Sequence, residues 1–164
     1  MQLGPKSILL LGFKDGELKW LSGDGFNDHL EGYNLTPIFT EYDFNQALPE
    51  IFSKPPAAVI SRKIFRWAFA ADSMPEPEDP LVIEQGPRLA GIRCWKQLRV
   101  NPATKETPFI FFVADLSPEF YPEVAFNPHT RLFQQRIMFD PGTLADLVKQ
   151  MIVDVQRKHQ PIQV

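Results

Sequence analysis

The sequence predicts a single α/β domain, residues 1–164, in which a five-stranded parallel sheet is covered by helices on both faces. Five apolar runs alternate with segments of helical periodicity, and right-handed crossovers between parallel strands place the helices on the two faces of the sheet. Most runs are continuously apolar, which is typical of strands buried on both sides. A length of 164 residues suits one domain with one sizeable core.

The strands are predicted near residues 7–13, 35–41, 57–61, 108–114 and 132–139. Pro37 favours an edge position for the second strand, because proline cannot donate a hydrogen bond to a sheet. Residues 17–33 predict a broken helix interrupted at Gly23-Asp24-Gly25, with a hairpin at these residues as the alternative. Asp43 is expected to cap the second helix, and Pro49 to kink or shorten it.

Composition narrows the function classes. The net charge of −3 gives no reason to expect nucleic-acid binding, which usually needs a basic face. The first apolar run is too short to span a bilayer. The single cysteine, Cys94, cannot form an internal disulfide, and with no signal peptide visible this indicates a cytoplasmic setting. His29, His129 and His159 do not have the spacing of metal ligands, and no cofactor is expected.

The span of about residues 63–88, between the third strand and the third helix, is unusually long for a βα connection. Phe65, Trp67 and Phe69 alternate with other residues and would share a face on an extended segment. Together with Arg66 they predict a protein-contact surface, since these residue types are enriched in interface cores. The alternative is a lid that folds back over the sheet edge. The acidic, proline-rich part, MPEPEDP, should stay on the surface.

Three stretches together resemble a response-regulator receiver domain: Glu31–Ser61, Gly91–Glu119 and Phe139–Met151. Their order and spacing cover most of residues 7–151. The resemblance implies a flavodoxin-like, three-layer fold with strand order 2-1-3-4-5. In that light the long span at residues 63–88 is an insertion.

Receivers phosphorylate an aspartate that ends the third strand, and the resemblance implies where the equivalent positions lie. The acidic pair that holds Mg²⁺ aligns with Gly12 and Phe13. The phosphoacceptor aligns with Arg62 (or Ser61 if the register slips by one), the hydroxyl position with Val113 and the lysine position with Ile137. Because Mg²⁺ needs carboxylate oxygens, we expect neither Mg²⁺ nor a phosphoryl group to bind. The sequence therefore predicts a pseudo-receiver that is not an enzyme and binds a protein partner.

Several alternatives stay open. Asp72-Ser73-Met74-Pro75 echoes the receiver D-x-x-M-P loop, so Asp72 is a rival phosphoacceptor in a phosphorelay. Arg62 is either a fixed positive charge that binds an anion or a solvent-facing residue at a strand end. A small flavodoxin-like ligand binder or enzyme would use the crevice at the carboxyl ends of the strands.

Self-association is also expected, because receivers commonly pair through the face of the fourth helix, fifth strand and fifth helix. In this sequence that face would include Phe126, His129, Phe133 and the outer side of residues 144–155.

Overall fold

A computed structural model of the chain describes residues 2–21, 26–69, 76–114, 124, 126–134 and 141–159. The strands are β1 Ser7–Leu11, β2 Asn34–Ile38, β3 Ala58–Arg62, β4 Phe109–Val113 and β5 Thr130–Gln134. The helices are α1 Asp15–Leu21, α2 Phe26–His29, α3 Glu41–Ser53, α4 Pro80–Gln85, α5 Ala90–Val100 and α6 Pro141–Lys158. A 3-10 helix, Gly86–Leu89, joins α4 to α5.

The five strands form one parallel sheet in the order β2-β1-β3-β4-β5, as predicted. Leu9 of β1 is paired with Thr36 of β2 on one side and with Val59 of β3 on the other. The expected edge position of Pro37 is confirmed, since β2 is the first strand of the sheet. The chain moves from β1 to β2 on one side and then to β3 on the other, so the direction of winding reverses between β1 and β3.

Each face of the sheet has its own core, because successive strand residues point to opposite faces. On one face, Leu9, Val59 and Phe111 pack with α3 and α5. On the other, Leu10 and Ile60 pack with α1, α2 and α6. The result is the three-layer α/β/α arrangement that the sequence predicts.

The strand boundaries differ from the predicted ones. β1 ends two residues early because Gly12 turns the chain with a φ of 76°. β2 stops at Ile38, and Thr40, predicted inside that strand, caps α3 instead. β3 extends to Arg62. β5 begins at Thr130 rather than at residue 132, and residues 135–140 lie outside the described residues.

The predictions for the helices are partly wrong. Thr40 caps α3 rather than Asp43, whose backbone N–H donates to Oγ1 of Thr40 at 3.1 Å. Asp43 lies in the first turn, where its charge suits the helix dipole. Pro49 does not end the helix, which continues to Ser53. The broken helix is confirmed as α1 and α2, and Gly23-Asp24-Gly25 falls outside the described residues.

The helix α4 was not predicted, although its signal is present. Asp79 precedes Pro80, and its side chain accepts from the N–H of Leu81 at 2.9 Å. A capping aspartate followed by proline at the first helical position is a good helix start. The surrounding prolines concealed it. The expected surface position of the acidic segment is confirmed for Glu76 and Glu78, which are exposed.

Candidate functional site

The carboxyl ends of β1, β3 and β4 meet at one edge of the sheet, where open α/β sheets bind ligands. Gly12 follows β1, and its N–H donates to the carbonyl of Ile38 at 2.9 Å. A Cβ atom at Gly12 would lie 2.5 Å from the ring of Phe65. The place of a side chain at this position is therefore taken by an aromatic ring from the connection that follows β3.

The neighbouring positions are apolar and closed to water. Phe13 is 2% exposed, and its ring centroid lies 5.7 Å from that of Phe112. Val113, the last residue of β4, is also buried. These side chains offer neither a carboxylate nor a hydroxyl group at the ends of β1 and β4.

Arg62 is the last residue of β3, and its guanidinium is held by an internal anion. Its Nη2 lies 3.2 Å from Oε2 of Glu17, and both side chains are about one quarter exposed, at 27% and 26%. The guanidinium carbon also lies 5.5 Å from the centroid of the Phe112 ring. Arg62 is therefore neither a simple solvent-facing residue nor an unpaired cation, because Glu17 already supplies an anion.

Glu17 is fixed in place by the start of α1. Its Oε1 accepts from the backbone N–H of Lys14 at 3.1 Å. A glutamate at the third helical position that reaches back to the capping residue is one half of a capping box, which satisfies an otherwise unpaired N–H group. The same carboxylate thus caps α1 and neutralises Arg62.

Ser61, the register-slip alternative for the acceptor, is fully buried. Its hydroxyl donates to the carbonyl of Arg62 at 2.7 Å. A buried hydroxyl engaged with the backbone is not accessible to a phosphoryl donor. Asp72 and Ile137 lie outside the described residues.

The connection between β3 and α5, residues 63–89, starts and ends at one point. The N–H of Gly91 donates to the carbonyl of Lys63 at 3.0 Å. Residue 91 has to be glycine in this geometry, because a Cβ atom would lie 2.3 Å from the carbonyl oxygen of Arg62. The connection is therefore a loop closed at its base, next to the last residue of β3.

The three aromatic residues of the connection do not share one face. Phe65 is buried in the core at 6% exposure, whereas Phe69 is 49% exposed. Trp67 packs edge-to-face with Tyr42 at 5.8 Å, and Phe69 lies 6.2 Å from Phe39. The segment is not a strand, so alternation along the sequence does not put the rings on one side.

Backbone hydrogen bonds explain this arrangement. The N–H groups of Glu41 and Tyr42 donate to the carbonyls of Arg66 and Trp67 at 2.9 and 2.8 Å. These N–H groups belong to the first turn of α3, where backbone donors have no acceptor within the helix. The connection therefore crosses the N-terminus of α3 and supplies hydrogen-bond acceptors for two of its N–H groups.

A buried ion pair anchors the far end of the connection. The Nε and Nη2 groups of Arg93 donate to Oε2 and Oε1 of Glu41 at 2.8 and 2.7 Å. Nη2 also donates to the carbonyl of Gly86 at 2.7 Å, and Nη1 to Oε1 of Gln85 at 3.2 Å. Sequence reasoning missed this network, because nothing in the pattern pairs two residues 52 positions apart.

A cavity of about 320 Å³ opens between the end of β1 and the connection. Its walls combine aromatic and aliphatic side chains with a few charged ones. The lining residues are Gly12, Phe13, Lys14, Asp15, Phe39, Ile64, Phe65, Arg66 and Phe69.

The residues predicted for self-association differ in their exposure to solvent. Phe126 is 88% exposed. Phe133 stacks on Phe112 at 5.9 Å and packs against the core, so little of it is open to a partner. His129 is half-buried, and this burial lowers its pKa, with nearby Arg99 acting in the same direction and Glu106 opposing. Cys94 is fully buried, and burial raises its pKa well above the usual value.

Solved structures with the same fold are receiver domains. The signal receiver domain of a Clostridium thermocellum histidine kinase matches with a TM-score of 0.62 and 12% identity, covering 90% of this chain and 97% of that one. The chemotaxis response regulator CheY4 of Vibrio cholerae matches with a TM-score of 0.55 and 16% identity, covering 92% and 99%. This chain has the receiver fold.

The receiver domain of a Pseudomonas aeruginosa sensor histidine kinase, at TM-score 0.57 and 13% identity, covers 92% of this chain and 99% of that one. It is described with a magnesium ion coordinated in the active site cleft. No protein-family model and no curated protein matches this sequence significantly, so the likeness lies in the fold.

The described side chains at the carboxyl ends of β1, β3 and β4 do not fit Mg²⁺. Gly12 and Phe13 provide no side-chain oxygen after β1, and Arg62 places a cation at the end of β3. Glu17, a carboxylate at this edge, is already paired with Arg62. Within the described ranges, no three His, Cys, Asp or Glu side chains form a group that could hold a metal, and no helix is long and apolar enough to cross a membrane.

Proposed function

We propose that this chain is a pseudo-receiver, a signalling or regulatory module that is not phosphorylated, is not an enzyme and acts by binding a protein partner. The ion pair between Arg62 and Glu17 carries the proposal. A phosphoacceptor has to be a carboxylate with room for a metal and a phosphoryl group, and here a guanidinium and its internal counter-ion occupy that place. The likeness to receiver domains supports a role in signalling.

The neighbouring residues support the same proposal. The ring of Phe65 covers Gly12, and Phe13 is buried against Phe112. A phosphoryl group carries close to two negative charges at neutral pH and needs donors or cations around it. Positions 12 and 13 offer neither in their side chains, and the cation that ends β3, Arg62, is already paired with Glu17. Relative to receivers, residues 63–88 are then an insertion that replaces a charged site with packing.

Acetyl phosphate provides the test. The protein is incubated with acetyl phosphate and Mg²⁺, and its intact mass is measured alongside that of an active receiver domain as a positive control. We expect no phosphoryl adduct on this chain under conditions that label the control. An adduct in the wild-type protein that disappears in Asp72→Asn would overturn the proposal and establish the alternative, a receiver phosphorylated at Asp72.

A second copy of the chain is one candidate partner. Phe126 is 88% exposed and lies in the predicted self-association face, so Phe126→Ser should weaken any dimer without affecting the core. Sedimentation velocity over a range of concentrations measures this. A wild-type protein that stays monomeric at high concentration would remove self-association from the proposal and leave a different protein as the partner.

A further inference from the structure

The cavity of about 320 Å³ lies at a favoured position for binding. Its lining comes from the residues after β1, from Phe39 after β2 and from Ile64–Phe69 after β3. The winding of the sheet reverses between β1 and β3, and ligands of open α/β sheets bind at the carboxyl edge beside such a reversal. The structure thus keeps a concave site at this edge although the charged residues of a receiver are missing.

The size of the cavity limits its occupant. Small-molecule and cofactor pockets span ~300–1,000 Å³, and this cavity is at the lower end of that range. It has room for one large side chain or a similar group. Five of its nine lining residues are large and apolar, so the group that fills it best is aromatic or aliphatic; these five are Phe13, Phe39, Ile64, Phe65 and Phe69.

The rim exposes apolar surface that a partner would cover. Ile64 is 58% exposed and Phe69 is 49% exposed, and both line the cavity. Among the described residues, four of the seven exposed large apolar side chains belong to the β3–α5 connection. These four are Ile64, Phe69, Leu81 and Ile83. Exposed apolar side chains beside a cavity, here Ile64 and Phe69, are typical of protein contact surfaces.

Charge at the rim selects the kind of partner. Lys14 and Arg66 both line the cavity and are exposed, and neither side chain has an ion pair within the described part of the chain. Asp15 is the single acid in the lining. Lys63 lies at the base of the same connection, where burial and then the charge of Arg88 lower its pKa. This edge is therefore locally basic in a chain whose net charge is −3.

We propose that this cavity binds one large apolar side chain from a short acidic segment of a partner protein, with Lys14 and Arg66 pairing with the acidic flanks. The proposal rests on the proposed function and adds the chemistry of the partner to it. Apolar anchors in a pocket with complementary charges at the rim are the usual way in which small interfaces gain affinity and selectivity.

The test uses three end-capped heptapeptides titrated into ¹⁵N-labelled protein and followed by amide chemical shifts. The first has a central Phe between glutamates, the second replaces that Phe with Ala, and the third keeps the Phe between lysines. We expect the first peptide to shift the amides of Gly12, Lys14, Phe39 and residues 64–69. The other two should bind about tenfold more weakly or worse, because each loses either the buried ring or the charge match.

Arg66→Glu, a change at an exposed residue, tests whether the charge of Arg66 attracts the acidic flanks of the peptide. It should weaken binding of the glutamate peptide and strengthen binding of the lysine peptide. Lys149→Glu makes the same charge change at an exposed position on α6, remote from the cavity, and should leave both affinities close to those of the wild type. Binding of the glutamate peptide should also weaken as salt is raised.

The outcomes separate this inference from the proposed function. No shifts with the first peptide, shifts confined to another surface, or equal binding of the Phe and Ala peptides would each overturn the inference. The proposed function would stand in those cases if the chain resists acetyl phosphate. A phosphoryl adduct would overturn the proposed function whatever the peptides do.

Discussion

Replacing Arg93 with methionine should remove much of the stability of this protein. Its side chain is 8% exposed and that of Glu41 is 1% exposed. Methionine fills much of the same volume but leaves the Glu41 carboxylate buried without its two charge-assisted hydrogen bonds. Removing one partner of a buried ion pair costs about 3–5 kcal/mol. For a protein of this size, about 2–4 °C of melting temperature per kcal/mol gives a decrease of roughly 6–20 °C.

Thermal and urea unfolding followed by far-UV circular dichroism measure the effect. Arg157→Met is the matched control, because Arg157 is exposed on the last turn of α6 and should cost less than about 0.5 kcal/mol. In the double variant, Glu41→Gln with Arg93→Met, no charge stays buried, so the loss should be clearly smaller than the sum of the single losses.

The same variant reports on the connection. Because Arg93 also holds the carbonyl of Gly86, its loss should speed proteolytic cleavage within residues 64–89 relative to the Arg157→Met control. If Arg93→Met costs no more than Arg157→Met, or if the double-variant cycle is additive within about 0.5 kcal/mol, the ion pair does not anchor this segment and the reasoning is wrong.

Three further predictions follow from single positions. Gly91→Ala should destabilise the fold by about 1–3 kcal/mol, because the alanine Cβ would lie 2.3 Å from the β3 backbone. Urea unfolding measures this loss, and a loss below about 0.5 kcal/mol would contradict the contact. Cys94 should react with a thiol reagent only after unfolding, because burial raises its pKa and shields it, and fast labelling of the native protein would disprove this. Hydrogen bonds from Lys158 and His159 lower the pKa of Glu106 from 4.5 to about 2. The stability that the ionised Glu106 adds to the fold is therefore fully present above about pH 4.5 and is lost as pH falls through 2. Glu106→Gln should therefore be less stable than the wild type at neutral pH, with a difference that vanishes near pH 2, and a difference independent of pH would count against the pairing.

The sheet was predictable because its signals are local or follow from general rules. The apolar runs of β1, β3 and β4 are long enough to identify buried strands, and the resemblance to receivers supplied their order. The errors lie at the ends of elements, where a single side chain decides. Thr40 caps α3 in place of Asp43, because the hydroxyl three residues before Asp43 reaches its N–H group.

For the candidate site, the sequence predicts only which receiver-type side chains are missing. The sequence shows that Gly12, Phe13 and Arg62 are not receiver-type residues, and in the structure Phe65 covers Gly12 while Glu17 pairs with Arg62. The sequence does not show which residue pairs with Arg62, since Glu17 is one of 20 acidic residues and lies 45 positions away. The cavity was equally hidden, because its walls come from three separate loops.

The residue at position 12 and the aromatic connection depend on each other. An aspartate cannot occupy position 12 while the ring of Phe65 lies 2.5 Å from where its Cβ would be, and the φ of 76° there already disfavours any side chain. Arg62→Asp alone would remove the cation that pairs with Glu17 and add a second negative charge at the same edge, which disfavours both charged forms. Acidic residues at positions 12 and 62 therefore need the ring of Phe65 to move and Glu17 to take another partner. The packing of the connection over Gly12 and the ion pair of Arg62 with Glu17 together hold this edge in its present form.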